Sequence, residues 1–425
     1  MALNSTTLRI VVGVVIIVTI HFCLRQSYCI TYIGRLRASN NLATSSRHGR
    51  SCPNGTVNGL CGGNALPGVS SWERPAHVTK VMGLIFYGRR QTASILDCYL
   101  KRNLVKNGGV LDGVIFLERT KDLADLALLD RLIASEPDYV RLKVDLDKGG
   151  YASSYDAIEN GVMYVKMDDD IVFIEDTAIK SIVHTKATQP EFFIVSANVV
   201  NQIMFSWLHR SFDAVKPYLP DIKASPKAAP DGEWRPSRLP AWEGPDAFDY
   251  KAWEAPAGKK HRWLPVRGRK THILKGTPIA ETDYDNGVSW SSWQMAAQMH
   301  YSLLENIEND NLARYRFPVW DFQLKRMGIQ FVAIMGDDIN LAKPLAADDE
   351  EYFTVDMPTK LGRPAVADGT GLVAHHAYFP QVDKGAGMWT TDVLDRYRAF
   401  ALENICTGPM LWTSDGTSGE AAEVV

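Results

Sequence analysis

Short apolar runs alternate with longer segments of helical periodicity over the chain from about residue 80 to residue 174. The apolar runs are largely continuous, which is typical of strands that are buried on both faces. The longer segments place apolar residues three and four positions apart, as in helices with one buried face. The predicted strands are Val81–Tyr87, Val114–Leu117, Tyr139–Val144 and Val162–Met167, and the predicted helices are Arg89–Lys106, Lys121–Ser135 and Ser153–Glu159.

This alternation predicts an α/β fold of the Rossmann type. Strands that alternate with helices of this length are joined by right-handed crossovers, so we expect a mostly parallel sheet with helices on both faces. Ligands of such sheets bind beyond the carboxyl ends of the strands. No GxGxxG loop or P-loop follows any of the predicted strands. The sequence therefore argues against dinucleotide oxidoreductases and P-loop enzymes.

The second half of the chain is organised differently. A further strand is predicted at Phe192–Asn201, and an irregular insertion rich in Pro and Trp follows at residues 202–275. Residues 276–412 resume a regular pattern, with Asp321 before a predicted short helix, a stop at Gly328 and another strand. We therefore expect residues 79–201 and 276–412 to form the two halves of the folded domain.

The N-terminal segment is apolar and predicts a transmembrane anchor within residues 1–37. Ile10–Leu24 carries no formal charge but is short for a spanning helix, so a cleaved signal peptide is the alternative. Residues 38–78 are rich in Ser, Asn, Gly and Pro and are predicted to be a flexible stem. Residues 413–425 are predicted to be a disordered tail.

Two observations in the stem bear on its orientation. The sequon at Asn54 and the pair Cys52 and Cys61 would be used only in an oxidising lumen. In contrast, more arginines follow the apolar segment than precede it, which by itself would leave the stem in the cytosol.

Composition and charge describe an ordinary folded protein. Of the 425 residues 46% are hydrophobic, and the net charge is only −3. The chain has no excess of basic residues, so its charge does not indicate a nucleic-acid partner. The six cysteines contain no CxxC pair and fit no zinc pattern. Cys98 and Cys406 lie in apolar surroundings with helical periodicity, so we expect both to be buried.

Three adjacent carboxylates follow the fourth predicted strand. Asp168, Asp169 and Asp170 lie between that strand and the apolar run Ile171–Ile174. Carboxylates this close together repel one another, and burial makes them more costly unless a positive charge compensates. Mn²⁺ or Mg²⁺ suits carboxylate oxygens and bridges a diphosphate to such a site. The alternative is a helix cap or an acidic surface turn.

The acidic triplet also carries a family resemblance. The segment Tyr164–Ile174 (YVKMDDDIVFI) resembles the DxD region of glycosyltransferases with the GT-A fold, and is similar to the form in Fringe-like and β1,3-galactosyltransferase-like enzymes. The stretch from Val81 to Asn404 resembles a group of uncharacterised fungal type II membrane proteins of glycosyltransferase type. Its most specific marks are the triplet, Phe192–Asn201 and Gly371–His376.

The resemblance implies roles for the residues of the triplet and its surroundings. Asp168 and Asp170 would hold the cation, and Asp169 would contact ribose or a basic partner. Arg89, just after the first strand, would contact the nucleotide. A C-terminal histidine completes the metal site in many GT-A enzymes, and we favour His375 over its neighbour His376, since only one of them can face the site from a strand.

A proton acceptor is needed only if the enzyme inverts the sugar configuration. Asp321 stands before the predicted helix–strand unit and is our candidate base, with Asp338 as the alternative. For Asp321 a helix N-cap is an equally common role. In the irregular insertion, Trp side chains either stack on sugar rings or pack against one another.

Taken together, the sequence pattern and the resemblance imply a metal-dependent glycosyltransferase with a GT-A-like fold, which would take a nucleotide-sugar donor and a glycan or glycoconjugate acceptor. Residues 79–201 would bind the nucleotide sugar and residues 276–412 the acceptor. The resemblance implies a single-pass type II protein of the Golgi or ER membrane with a lumenal catalytic domain. The alternatives are a non-catalytic lumenal protein that binds a glycan or a partner, and a nucleotidyltransferase.

Overall fold

The computed structural model describes residues 72–147, 151–223, 233–255, 260–268, 273–283, 287–382 and 387–413. The predicted anchor, the predicted stem up to residue 71 with Asn54, Cys52 and Cys61, and the tail after residue 413 lie outside these residues. The last residues predicted as flexible stem, 72–78, instead belong to the folded domain, since Val78 is 2% exposed and Arg74 pairs with Asp112 at 2.7 Å. Within the described residues, no helix is both long and apolar enough to cross a membrane.

The core of the fold is one nine-stranded sheet. Eight strands follow the order β3-β2-β1-β4-β10-β6-β11-β5, and β9 pairs with β11. The strands are β1 (Lys80–Tyr87), β2 (Gly113–Glu118), β3 (Tyr139–Lys143), β4 (Val162–Asp168), β5 (Ile171–Ile174), β6 (Ile194–Val200), β9 (Trp320–Asp321), β10 (Phe331–Met335) and β11 (Ala365–His375). A separate pair consists of β7 (Tyr218–Pro220) and β8 (Trp263–Pro265), which are antiparallel.

The sheet is predominantly parallel, as the sequence predicts. β1 pairs in parallel with both β2 and β4, and β2 with β3. β10 is antiparallel to both of its neighbours, β4 and β6. β6 and β11 are again parallel, so their carboxyl ends lie at the same edge as those of β1 and β4. This mixed, parallel-rich α/β architecture fits a Rossmann-like fold.

Continuous apolar runs form the central strands because both faces of the sheet are covered. Every residue of β6 is buried, and so are the first six residues of β4. The helices are α1 (Arg90–Arg102), α2 (Leu123–Ser135), α3 (Ala178–Thr188), α4 (Ile203–Ser211), α5 (Val288–Ser291), α6 (Trp293–Glu308), α7 (Gly336–Ala342), α8 (Asp349–Glu351), α9 (Met357–Leu361) and α10 (Val393–Asn404). A π-helix, Tyr352–Asp356, joins α8 to α9. The predicted helix at Ser153–Glu159 is instead one 3-10 turn, Ala152–Tyr155.

The helix predicted after Asp321 does not form. Gln323 and Leu324 both have left-handed backbone angles, with φ of 55° and 60°, which a right-handed helix cannot contain. Asp321 Oδ1 accepts a hydrogen bond from Gln323 N at 2.7 Å, and this local bond stabilises a turn. The prediction was wrong because a local side-chain to backbone bond competes with the helix.

The tryptophans of the irregular segment pack inside the protein. Trp263 in β8 is fully buried, Trp234 and Trp242 are nearly so, and the ring of Trp253 lies 5.0 Å from that of His261. The tryptophans are therefore packing residues, but not only within their own segment, because Trp234 packs against Phe400 of α10 and Trp263 against Trp293 of α6. Trp234, Trp242 and Trp263 present no free face to a sugar.

A disulfide joins two distant parts of the chain. Cys98 in α1 is bonded to Cys406, just after α10, across 308 residues of sequence. Cys98 is buried as predicted, whereas Cys406 is half-buried. The sequence indicated burial but not pairing, because only the packing of α10 against α1 brings the two Cα atoms to 4.7 Å.

Removing this disulfide should destabilise the protein. We expect a double substitution, Cys98→Ala with Cys406→Ala, to lower the free energy of unfolding by about 2–5 kcal/mol, because the cross-link restricts the unfolded chain. Denaturant unfolding measures the change. Reductant should destabilise the wild type and leave the double variant unaffected. Equal midpoints for reduced and oxidised wild type would contradict the assignment.

Candidate metal centre

The acidic triplet forms the tight turn between β4 and β5. Asp168 is the last residue of β4, Asp169 and Asp170 make the turn, and Ile171 begins β5. β5 then runs antiparallel to β11, where His375 pairs with Ile171. The His376 backbone N–H donates to the Asp170 carbonyl at 2.8 Å. The sheet pairing therefore brings the end of β11 to the triplet from 200 residues away in sequence.

Three side chains at this turn form a cluster suited to a metal ion. Asp168, Asp170 and His375 each offer one ligand atom, and these atoms all lie within 4.8 Å of one another. His375 Nε2 lies 3.2 Å from Asp170 Oδ2. Both carboxylate oxygens of Asp170 are buried without a hydrogen bond. Unsatisfied buried carboxylate oxygens beside an imidazole fit a divalent cation such as Mn²⁺ or Mg²⁺.

Asp169 points away from this cluster and is fully occupied. Its Oδ2 accepts hydrogen bonds from the backbone N–H groups of Gly88 and Arg89 at 2.5 and 2.6 Å. Its Oδ1 accepts from the Arg89 side chain, with Nε at 2.9 Å. The basic partner expected for Asp169 is thus Arg89. These bonds fix the loop after β1 against the acidic turn and leave Asp169 without a free oxygen for ribose.

Arg89 also faces the metal cluster. Its Nη1 lies 3.1 Å from Asp170 Oδ2, and 40% of its side chain remains exposed. A partly exposed guanidinium beside a candidate metal site is well placed to contact an anionic ligand. The contact of Arg89 with a nucleotide stays a prediction.

Burial and neighbouring charges shift the pKa values of Asp170 and His375 in the cluster. Burial alone would raise the pKa of Asp170, but the Arg89 guanidinium and His375 outweigh it and hold that pKa well below its usual range. Burial alone would lower the pKa of His375, but the Asp170 carboxylate outweighs it and raises the pKa. Since a bound cation requires a neutral imidazole, it would take the place of the proton on His375.

The structure distinguishes the two histidines that the sequence left open. His375 directs Nε2 at Asp170, while its Nδ1 faces the Asn201 carbonyl oxygen at 3.5 Å. The ring of His376 packs against Trp389, with centroids 5.1 Å apart, and burial lowers its pKa to about 3. His375, not His376, is therefore the histidine of the cluster.

A buried lysine lies directly behind Asp168. Lys166 Nζ lies 2.5 Å from Asp168 Oδ1 and donates to the Ile329 carbonyl at 2.8 Å. The ammonium group also lies 4.7 Å from the centre of the Phe86 ring. Lys166 fixes the orientation of Asp168, and its role was not predicted from the sequence.

Asp321 does not join the cluster. It pairs with Val366 at the start of β11, whereas His375 ends that strand. In β6, Val195 lies opposite Val366, and Val200 lies opposite Ala374, the residue before His375. These two β6 residues are five apart, which corresponds to about 17 Å along the sheet.

Asp338 also lies away from the cluster, beyond the opposite end of β4. Met335, which immediately precedes its helix α7, pairs with Met163, five positions before Asp168. The Asp338 carboxylate is held by Lys186 at 2.9 Å and by Arg363. Neither of the two predicted bases is therefore close to the metal cluster.

The carboxylates near the cluster come instead from the acidic run at residues 348–351, whose charge pattern is typical of a solvated face or a helix start. The run does begin α8, with Asp348 as its N-cap, but two of its carboxylates are directed inward. Asp349 is only 6% exposed and accepts a hydrogen bond from Tyr155 O–H at 2.8 Å. Glu350 forms an ion pair with Arg326 at 3.0 Å, and the charges of both Lys166 and Asp168 act on it. The only sequence feature that indicates burial of this segment is the aromatic pair after the run, Tyr352 and Phe353.

No family model matches the sequence, and neither does any curated protein. Among solved structures, the chain is similar to a CMP:2-keto-3-deoxy-manno-octonic acid synthetase complexed with CTP, at 8% identity and a TM-score of 0.28, over 69% of this chain and 88% of the other. It is also similar to glucosyl-3-phosphoglycerate synthase from Mycobacterium tuberculosis, in two complexes that contain Mn²⁺ and UDP. These match at 14% and 16% identity, each with a TM-score of 0.23 over 34% of this chain, and over 57% and 56% of theirs. All three TM-scores lie below 0.5, too low to establish a shared fold or function.

Asp170→Asn should abolish tight binding of Mn²⁺. The substitution removes the buried charge that the cation would neutralise, so we expect affinity to fall by at least about 100-fold. Titration calorimetry with Mn²⁺ measures the change. Asp321→Asn, an exposed carboxylate far from the cluster, is the matched control and should bind as the wild type does. Equal affinities for Asp170→Asn and the wild type would exclude the cluster as the metal site.

Asp169→Asn should destabilise the fold. The change removes the charge that pairs with Arg89 and leaves the buried turn less well bonded to the β1 loop. We expect a loss of about 1–3 kcal/mol in the free energy of unfolding, at the low end for a buried pair because Arg89 is 40% exposed. Denaturant unfolding checks this, again with Asp321→Asn as control. A loss no greater than that of the control would show that the pair is dispensable.

Proposed function

We propose that this protein is a metal-dependent glycosyltransferase that uses a nucleotide-sugar donor. The observation that carries the proposal is the cluster of Asp168, Asp170 and His375 at the carboxyl ends of parallel strands. Both oxygens of Asp170 are buried without a hydrogen bond, and only ion pairs from Oδ2 to Arg89 and His375 compensate its charge. Ligand sites of Rossmann-like sheets lie at this edge. The sequence resemblance to the DxD region of GT-A enzymes supports the same conclusion.

The residues of the chain have distinct tasks in this proposal. Asp168, Asp170 and His375 would hold Mn²⁺ or Mg²⁺, which when bound stabilises negative charge on a leaving diphosphate. Arg89 places a partly exposed guanidinium at the same point and would contact the phosphates. Asp169 and Lys166 hold Arg89 and Asp168 in position.

Exposed aromatic side chains near the cluster support a carbohydrate acceptor. Phe379 is 79% exposed and follows Tyr378, whose ring lies 4.8 Å from that of His375. Trp290 is 48% exposed, and its neighbour Ser289 accepts a hydrogen bond from Gln381 through the carbonyl oxygen. Exposed aromatic faces are costly in water and suit contact with the apolar face of a sugar ring.

The proposal includes the secretory pathway as the location. The Cys98–Cys406 disulfide supports it, because disulfides persist in oxidising compartments and are rare in the cytosol. We propose a lumenal catalytic domain on an N-terminal anchor in the Golgi or ER membrane, as the sequence of residues 1–37 predicts.

A panel of nucleotide sugars tests the function. With Mn²⁺ present, the full-length wild type is expected to release nucleoside diphosphate from at least one UDP- or GDP-sugar. The rate of release by Asp170→Asn should be at least about 100-fold lower. Coupled enzymatic detection of the diphosphate measures the rate, and thermal unfolding verifies that the variant is folded.

The alternatives give other outcomes in the same experiment. Nucleotide binding without turnover for any donor would favour the non-catalytic binding protein. Formation of a sugar nucleotide and pyrophosphate from a nucleoside triphosphate and a sugar phosphate would favour the nucleotidyltransferase. No binding of UDP or GDP, with or without Mn²⁺, would exclude the transferase.

A further inference from the structure

The segment that begins at α8 is linked by ion pairs and a hydrogen bond to the chain that supports the metal cluster. Arg326 holds it by ion pairs of 3.0 Å each to Asp348 and Glu350. Thr354, in the π-helix, accepts a hydrogen bond from the Met327 backbone N–H at 3.3 Å. The chain then continues from Met327 to Ile329, whose carbonyl holds Lys166 behind Asp168. A short stretch of backbone therefore connects α8 to the residues that support the metal cluster.

Charged and titratable groups surround Glu350 on the side of the cluster. The charges of Arg326, Lys166, Asp168 and Asp349 act on its carboxylate, and Glu350 acts in turn on the Tyr378 hydroxyl. Lys166 comes from β4, Asp168 from its end, and Tyr378 from the segment after β11. Glu350 thus lies where the elements that build the metal cluster meet α8.

Glu350 is the accessible carboxylate among those described near Lys166. Asp349 is buried and bonded to Tyr155, and Asp168 is a metal-cluster residue already bonded to Lys166. Glu350 keeps 29% of its side chain exposed, and Arg326, its ion-pair partner, is 52% exposed and shared with Asp348 and Glu351. An exposed, shared ion pair is weak and leaves the carboxylate available to a substrate.

We infer that Glu350 is the catalytic base that takes the proton of the acceptor hydroxyl. This inference rests on the proposed glycosyltransferase function. As the acceptor oxygen forms its bond to the anomeric carbon of the donor, its proton passes to a Glu350 carboxylate oxygen. The bond between the anomeric carbon and the diphosphate oxygen breaks, and the nucleoside diphosphate leaves with the bonding electrons. Direct displacement of this kind inverts the configuration at the anomeric carbon.

The surroundings of Glu350 strengthen its carboxylate as a base. Burial raises the pKa of the Glu350 carboxyl above its ordinary value, although Arg326 and Lys166 act in the opposite direction. A raised pKa makes a carboxylate a stronger base while leaving it ionised above that pKa. The acid limb of the pH profile for transfer should therefore contain the protonation of Glu350 alongside that of His375, whose proton competes with the cation.

Glu350→Gln, with Glu351→Gln as the matched control, tests the inference. Both glutamates lie in α8 and contact Arg326, but Glu351 is 44% exposed and its carboxylate is 3.7 Å from the guanidinium. The probe reactions are hydrolysis of the active UDP- or GDP-sugar by water and transfer to a panel of simple alkyl glycosides, with Mn²⁺ and the full-length chain. We expect Glu350→Gln to lower kcat by about 10²–10⁴-fold and to remove the part of the acid limb that Glu350 contributes, leaving the part due to His375. Glu351→Gln should remain within about threefold of the wild type.

Binding measurements separate this inference from the proposed function. Calorimetry with Mn²⁺ and UDP or GDP should give the same affinities for Glu350→Gln and the wild type. If the wild type binds and turns over a donor but both variants keep wild-type kcat, the base assignment is wrong and the glycosyltransferase proposal stands. Loss of nucleotide binding in Glu350→Gln would also overturn it, because the residue would then act in binding. If the wild type binds no nucleotide, both proposals fail.

Discussion

The burial of Asp170 is the constraint on which the candidate site depends. A carboxylate taken out of water without hydrogen bonds is stable only beside positive charge. The structure provides that charge from two directions, with Arg89 following β1 and His375 ending β11. The strand order of the sheet brings these two residues together, because β1 and β11 each end at the same edge as β4. The cluster is therefore a product of the topology as much as of the acidic triplet.

Each residue around Asp170 has a second contact that fixes it. Arg89 is held by Asp169, which is itself bonded to the backbone of the β1 loop. Asp168 is held by Lys166, and the carbonyl groups of His375 and His376 accept from the Asn201 amide. A cluster supported in this way is preorganised, so little rearrangement would accompany binding of a cation. The disulfide acts at a distance by joining α10 to α1, the helix that begins directly after Arg89.

Patterns that are local in sequence predicted much of the architecture. The continuous apolar runs at Val81–Tyr87 and Val162–Met167 became β1 and β4, because a strand covered on both faces must be apolar throughout. The helix predicted after Asp321 failed, since the left-handed angles of Gln323 and Leu324 are not visible in apolar periodicity. The acidic run at residues 348–351 begins α8, as its charge pattern indicates, but that pattern contains no information about Arg326 and Tyr155, its partners from other elements.

The sequence by itself determined the class of fold and the chemical type of the site. Three carboxylates between two apolar runs require compensation wherever the chain places them, and that requirement is a property of the residues alone. Only the tertiary structure decided which groups supply it. The tertiary structure pairs Asp169 with Arg89 and brings His375, not His376, into the cluster. It also places Asp321 and Asp338 away from the cluster. These outcomes depend on strand order and register, which bring together residues that are up to 300 positions apart and leave no mark on the local pattern.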